Sequence, residues 1–396
     1  MLRTHAHQVR RDKLLSDLRD QSKRMTKEEL VEQLSTFKLN PKFSMGVWYF
    51  FPPGGRFHER YVEQGTIEDI LNIVRGMKDK GVVDSTFKLE GHFPNEINWD
   101  NIDEFKDLER ETGIGLVNVG PNIFYEKRYE FGSLSNPNPD VRSHAIARTT
   151  DALKIGKEAG AAFMVVWPGI DGYENPFGAD FYGMWDRFES ALAQIMDAVP
   201  GRRVAIEPKP YEPRGNNIYR NTANGLLMAR NVESILRHEE NRHLLEQGHA
   251  MVCLNPEVGH VMMGHEELAY AFASALREGR LAHTHWNSQP LGNYDQDLNV
   301  GVLGIDQMYA ALLVMKMHGY SEYFGIDINP ERMPIERAIA LNVNAIRVAC
   351  DRLNQIDRAD WSKVADAIAS PQENRGVIED VMMRSLAPTG SSFVPI

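Results

Sequence analysis

The chain has 396 residues, 42% hydrophobic and 25% charged, a composition that suits a large globular core and excludes a fibrous or disordered chain. A net charge of −11 and a pI near 5.7 argue against a nucleic-acid partner, which calls for a basic face. Two cysteines, Cys253 and Cys350, are too few for a disulfide framework and suit a reducing cytoplasm, with Cys253 reading as a buried core thiol. The opening MLRTHAHQVRRDKL lacks an apolar h-region, so no secretory signal is expected. The most apolar stretch, Ala159 to Trp167, is too short to span a bilayer, so no membrane partner is expected.

Residues 1–40 read as a polar helical arm, with Leu14, Leu15, Leu18, Leu30, Leu34 and Phe37 spaced along one stripe. FSMGVWYF, closed by PPGG, then reads as a strand and a turn. From there helices and strands alternate. TIEDILNIVRGMKDKG, IDEFKDLERETG and VRSHAIARTTDALKIGKEAG have helical period, and VVDSTFKLEG, IGLVNV and AAFMVVWPG read as the strands beside them. Strand starts fall near 44, 84, 114, 162, 203, 251, 281 and 323, and a last long helix covers 335–353. Strict alternation means a parallel sheet, and eight units predict a closed (β/α)8 TIM barrel, an α/β fold, over 41–355. No glycine-rich phosphate fingerprint follows the first strand, which weakens an open dinucleotide-binding sheet. The C-terminal extension, 356–396, carries Pro371, Pro388 and Pro395 and is less periodic. It reads as an arm embracing a neighbouring subunit, which predicts a homo-oligomer, a dimer or tetramer.

A barrel places its chemistry at the C-terminal ends of its strands. Glu207, Glu257, His285 and Asp327 end the last four predicted strands. Any one acid there would suit a solvated loop or a helix cap, but four in register predict a site for one or two hard divalent cations. Glu257 and His260 are three apart, as one turn closing on one ion requires. Asp295 and Asp297 are two apart, so an extended loop would project both the same way. Carboxylates so crowded repel unless cations neutralise them. Mostly oxygen ligands with one or two imidazoles suit Mg2+, Mn2+ or Co2+ and not structural zinc. Lys209, two beyond Glu207, would be a fixed cation polarising a substrate oxygen.

At these residues the sequence resembles the xylose isomerase family of aldose–ketose isomerases. The matching pieces are GVWYF, MVVWPG, EPKPYEPRG, NPEVGH, YDQDLNVG and the strand ending at Asp327, spread over roughly 43–330. GSLS and KPYEP are also similar to L-rhamnose isomerases. The resemblance implies two divalent metal ions (Mn2+, Co2+ or Mg2+). The first would be held by Glu207, Glu257 and Asp327, the second by Glu257, His260, Asp295 and Asp297, with Glu257 bridging. Lys209 would hold the substrate's carbonyl oxygen, Glu207 would take part in the chemistry as a ligand, and Asn287 would lie at the substrate. Trp48 and Trp167 would wall the reacting carbons, joined by Phe124, and Phe57 would reach into a neighbour's site. His92, with Asn95 or Glu96 behind it, would open the sugar ring, although LEGHFPNEI matches the family only loosely.

Two departures stand out. The family reads His-x-Asp-x-Asn on its seventh strand, whereas this chain reads His283-Thr284-His285-Trp286-Asn287. An imidazole at the first metal removes a charge and tilts the preference from Mg2+ toward Mn2+ or Co2+. Asn216 stands where the family has the aspartate of EPRGD, away from the ligands. The implied function is a cytoplasmic sugar isomerase that interconverts an aldose and a ketose, of xylose or glucose type, by a metal-assisted 1,2-hydride shift. The alternatives are an L-rhamnose isomerase-like activity or another sugar isomerase or epimerase of the same barrel. A metal-dependent endonuclease on a related barrel is disfavoured by the acidic charge, and a non-catalytic sugar-binding barrel by the complete ligand sets.

Overall fold

The computed structural model describes residues 18, 20–52, 59–387 and 391. Phe57 and most of the expected arm's first half lie outside the described residues.

Among the described residues there are ten strands: β1 (Lys42–Gly46), β2 (Lys88–Phe93), β3 (Leu116–Pro121), β4 (Phe163–Val166), β5 (Gly172–Tyr173), β6 (Arg203–Ile206), β7 (Asn216–Asn217), β8 (Val252–Leu254), β9 (Thr284–Trp286) and β10 (Tyr323–Ile326). Eight of them form one sheet in the order β8-β6-β4-β3-β2-β1-β10-β9, and every pairing in it is parallel. Parallel bridges from Leu254 to Leu281 and from Glu257 to His285 join the two outer strands and close the barrel. β5 and β7 form a separate antiparallel ribbon from the loops that follow β4 and β6.

FMVV and VCL are apolar at every position, and RVAI at every position after the buried Arg203, because both faces of a barrel strand are covered. Inside an eight-stranded barrel only side chains fit. Val117, Phe163, Val165, Ala205, Cys253 and Ala282 fill that space, and Leu18 packs onto them with Ala162, Ala250 and Tyr323 from the N-terminal strand ends. The arm therefore stops the end of the barrel opposite the acids. The second strand begins at Lys88, not near 84, because Asp84 accepts from the Thr86 backbone and hydroxyl and ties the chain into a turn.

Outside, amphipathic helices bury one stripe each. Ile67–Asp79 turns Ile70, Leu71, Val74 and Met77 inward and opens on a Thr66/Asp69 capping box. The extension folds back on its own chain. Its helix Arg358–Ala369 packs on the arm helix Lys27–Thr36, with Trp361 fully buried and ion pairs from Lys27 to Asp366 and Arg358 to Glu32. Buried Lys316 donates to the Phe37 carbonyl and to Asn354, fastening the arm to the barrel.

Candidate metal centre and cleft

The four residues expected at the strand ends converge. Glu207 follows β6 directly, its N–H still donating to Val166 of β4. Asp327 follows β10, its N–H donating to Trp286 of β9. Glu257 occupies the N-cap position of the short helix Val258–Met263, yet its carboxylate makes no cap hydrogen bond. That excludes the ordinary role of an acid at a helix start. The carboxylate turns inward instead. Gly259 lets it do so, since a Cβ there would lie 2.9 Å from Glu257 Oε1 and 3.0 Å from Asn287 Oδ1.

Ligand atoms of Glu207, Glu257, His285 and Asp327 lie within 4.8 Å of one another, and so do those of Glu257, His260 and Asp295. His285 Nδ1 is 3.0 Å from Glu207 Oε2 and 3.1 Å from Asp327 Oδ2. His260 Nε2 is 3.0 Å from Glu257 Oε2 and 3.1 Å from Asp295 Oδ2. Bonds of ~2.1 Å to a small divalent ion put adjacent ligands ~3 Å apart, so these separations fit. His285 Nδ1, buried, makes no hydrogen bond despite two carboxylate oxygens beside it. A nitrogen held that way would, once deprotonated, offer its lone pair to a cation among those oxygens.

The electrostatics agree. Burial, then the charges of Asp295, Asp327, Asp297 and Glu207, drive the Glu257 carboxyl well above its usual range. Burial and the neighbouring Asp295 and Asp327 do the same to Asp297. Burial pushes Glu207 up too, but the charge and hydrogen bond of His285, with the charge of His260, together outweigh it and hold Glu207 at about 2. Burial opposes charge on His285, yet Glu207, Glu90 and Asp327 lift it well above the ordinary imidazole value. Glu257, Asp297 and His285 are thus each biased toward holding a proton. Divalent cations would take the place of those protons and release them.

Asp297 departs from the expected arrangement. Its φ of 46° is left-handed, so the loop is not extended and the two acids diverge. Asp295 Oδ2 turns to His260 and to Lys209 Nζ, 2.8 Å away. Asp297 accepts from the Tyr49 hydroxyl and, at 3.1 Å, from Asn287 Nδ2. Asn287 does not line the cleft. Its amide is spent on Glu257 Oε1 at 2.7 Å and on the Gly259 N–H at 2.8 Å, so it steadies ligands.

A cleft of about 640 Å³ opens over the acids, large enough for a small polar ligand. Trp48, His92, Phe124 and Trp167 form one continuous wall. Trp48 and His92 stand 4.4 Å apart, His92 and Phe124 5.5 Å, and Phe124 and Trp167 4.9 Å between ring centres. Lys209 Nζ lies 5.2 Å over the Trp167 ring. The charges of Asp295 and Glu257 overcome burial and raise Lys209 above its ordinary value, so it stays an ammonium. Of the two residues expected behind His92, Glu96 is the partner: its Oε2 is 3.2 Å from His92 Nδ1 and 2.7 Å from the His92 backbone nitrogen.

Three residues of the site escape a reading of strand ends. Tyr49, Glu90 and Asn118 all line the cleft. The signal for Glu90 is its spacing: an acid two before His92 in one strand shares the face of His92. GSLS has a scaffolding place. Buried Asp171 accepts from the Ser133 and Ser135 N–H groups at 2.8 and 2.9 Å and from both hydroxyls. Asp171→Ala strands these donors and is expected to cost about 3 kcal/mol or more in a urea titration. An unshifted midpoint would show that the donors find water instead.

The family described as xylose isomerase-like TIM barrel matches residues 84–347. The chain belongs to that family. The match covers β2 through β10, including Glu207, Glu257, His285 and Asp327. Among curated relatives, the xylose isomerase of Thermus thermophilus is 32% identical over 220 residues, 54% of this chain and 53% of that protein. The xylose isomerase of Thermus caldophilus is 31% identical over the same shares. The chain thus spans about half the length of the curated relatives it matches. An L-ribulose 3-epimerase structure matches with a TM-score of 0.56 at 12% identity, over 80% of this chain and 96% of that one. A D-tagatose 3-epimerase-like protein matches at 0.58 and 14%, over 79% and 99%. These two likenesses establish the shared barrel. Among the described residues, no helix is long and apolar enough to cross a membrane.

Proposed function

We propose that the protein is a divalent-metal-dependent sugar isomerase interconverting an aldose and a ketose. The observation that carries this reading is the shared cleft: Glu207, Glu257, His285 and Asp327 face one point, with Lys209 and an aromatic wall beside it. Glu207, Glu257, His285 and Asp327 would hold one ion and Glu257, His260 and Asp295 the second, with Asp297 able to join by leaving Tyr49. Mn2+, Co2+ or Mg2+ bound there would supply Lewis acidity toward the sugar's hydroxyl and carbonyl oxygens.

The chain's own residues do the rest. His92 has its Nδ1 on Glu96, which leaves its other nitrogen to move the ring proton as a cyclic sugar opens. The Lys209 ammonium stabilises the negative charge that develops on the carbonyl oxygen. Trp48, Phe124 and Trp167 cover the reacting carbons and exclude water, so hydrogen passes from C2 to C1 as hydride without exchange. The C2 hydroxyl proton passes to O1, and the sugar keeps its composition. A second reading, an L-rhamnose isomerase-like activity or another sugar isomerase or epimerase on this barrel, is favoured by the imidazole at 285.

Metal-stripped protein, resupplied with Mg2+, Mn2+ or Co2+, should be given xylose, glucose, fructose, mannose, rhamnose and allulose. Interconversion of an aldose and its 2-ketose, with Mn2+ or Co2+ above Mg2+, is the expected result. Exchange at C3 alone would replace isomerase by epimerase, and no turnover of any sugar would refute both readings. Assembly as a dimer or tetramer in the cytoplasm completes the proposal, with light scattering as its check.

A further inference from the structure

Beneath the ion ligands, inside the barrel, lies a polar cluster that the reading above leaves without a role. Glu90 of β2 is 1% exposed, Asn118 of β3 2%, and His283, which precedes β9, is fully buried. Glu90 Oε1 is 3.0 Å from His283 Nε2, and its Oε2 is 3.1 Å from His285 Nε2. Asn118 Nδ2 also donates to Oε2. An ionised carboxylate only accepts. Both rings therefore carry a hydrogen on Nε2, and Nδ1 of His285 is the atom left to an ion. That Nδ1 is the one flanked by Glu207 and Asp327.

β10 is cut back to make room. A Cβ on Gly325 would lie 2.7 Å from His285 Cδ2, 2.8 Å from His283 Nε2 and 2.9 Å from Glu90 Oε1. Strands β2, β3 and β10, with the β9 segment, thus each contribute to holding one carboxylate against the back of one imidazole. Burying an acid and two histidines in a barrel is costly unless each is paired. Here the pairing points at His285.

We propose that Glu90 is a positioning residue for the ion at Glu207, Glu257, His285 and Asp327. It fixes the ring orientation and tautomer of His285, and it restores, through the imidazole, negative charge that a histidine lacks in a carboxylate's place. His283 and Asn118 hold Glu90 in that pose. This inference rests on the proposed reading that a divalent ion binds these residues.

Co2+ titration of the metal-stripped full chain, followed by calorimetry and visible absorbance, tests it. Glu90→Gln is expected to weaken the ion by about 10- to 100-fold and shift the Co2+ absorbance, with circular dichroism unchanged, and Glu90→Asp to recover part of the loss. Asp171→Ala, which loosens the scaffold elsewhere, should leave Co2+ affinity in place. An affinity for Glu90→Gln within about twofold of the parent overturns the role. Should Glu90→Gln fail to fold, nitrogen NMR of the Zn2+-loaded parent decides. A proton on His285 Nε2 supports the inference, and a proton on Nδ1 overturns it. If the parent binds no Co2+ at all, the ion reading itself fails, a result distinct from an insensitive Glu90 variant.

Discussion

Glu257→Gln is expected to abolish turnover, lowering it about a thousandfold or more, equivalent to about 4 kcal/mol of lost transition-state stabilisation. The substitution is nearly isosteric, and Asn287 Nδ2 still finds an oxygen at the Oε1 position it now binds, so the fold should survive. What disappears is one negative charge from each ligand group, because Glu257 belongs to both. Calorimetric titration with Mn2+ should show both binding events weakened together. Turnover at the parent rate would mean that Glu257 bridges nothing. Loss of a single binding event would assign it to one ion.

Lys209→Met should separate chemistry from ion binding. Its ammonium is 2.8 Å from Asp295 Oδ2 and 3.4 Å from Glu212 Oε2, so it competes with a cation for Asp295. Removing it is expected to lower kcat by about a hundredfold or more while Mn2+ affinity does not weaken. The opposing signs would come from one geometry: the charge proposed to polarise a carbonyl oxygen lies against Asp295, which an ion would share. Parallel losses in kcat and ion affinity would instead make Lys209 a prop for the Asp295 loop.

The barrel and most of its mouth are legible in the sequence for a physical reason. A strand buried on both faces is mostly apolar, so an acid at its end is conspicuous: Glu207 after RVAI and Asp327 after YFGI stand out at once. Glu257 is legible by the same rule, though not its freedom from capping, which depends on the room Gly259 provides. Glu90 hides because it lies inside a strand, where an acid reads as a disturbance of the apolar pattern. Only the third dimension brings His283, His285 and Asn118 to it. The divergence of Asp295 and Asp297 depends on one left-handed residue, which their spacing cannot convey. The tail shows a packing that its sequence does not convey. Its prolines and weak period suggest an arm, yet Trp361 and the Arg358 pair dock it on its own chain.

The departure at His285 acquires a physical meaning in this arrangement. An imidazole replaces a carboxylate in the ligand set, and a buried carboxylate stands directly behind it. If an ion binds there as proposed, that carboxylate would supply behind the imidazole the negative charge the histidine lacks. The ligand itself becomes softer, which still favours Mn2+ or Co2+.

The central claim, that ions among these strand-end residues drive sugar isomerisation, is tested most directly by adding Mn2+ back to the metal-stripped protein while following ketose formation from an aldose. No ketose is expected before the first addition, and the rate should rise to a plateau as the sites proposed at Glu207, Glu257, His285, Asp327, His260 and Asp295 fill. Ketose formed at the full rate in the presence of excess chelator would contradict it.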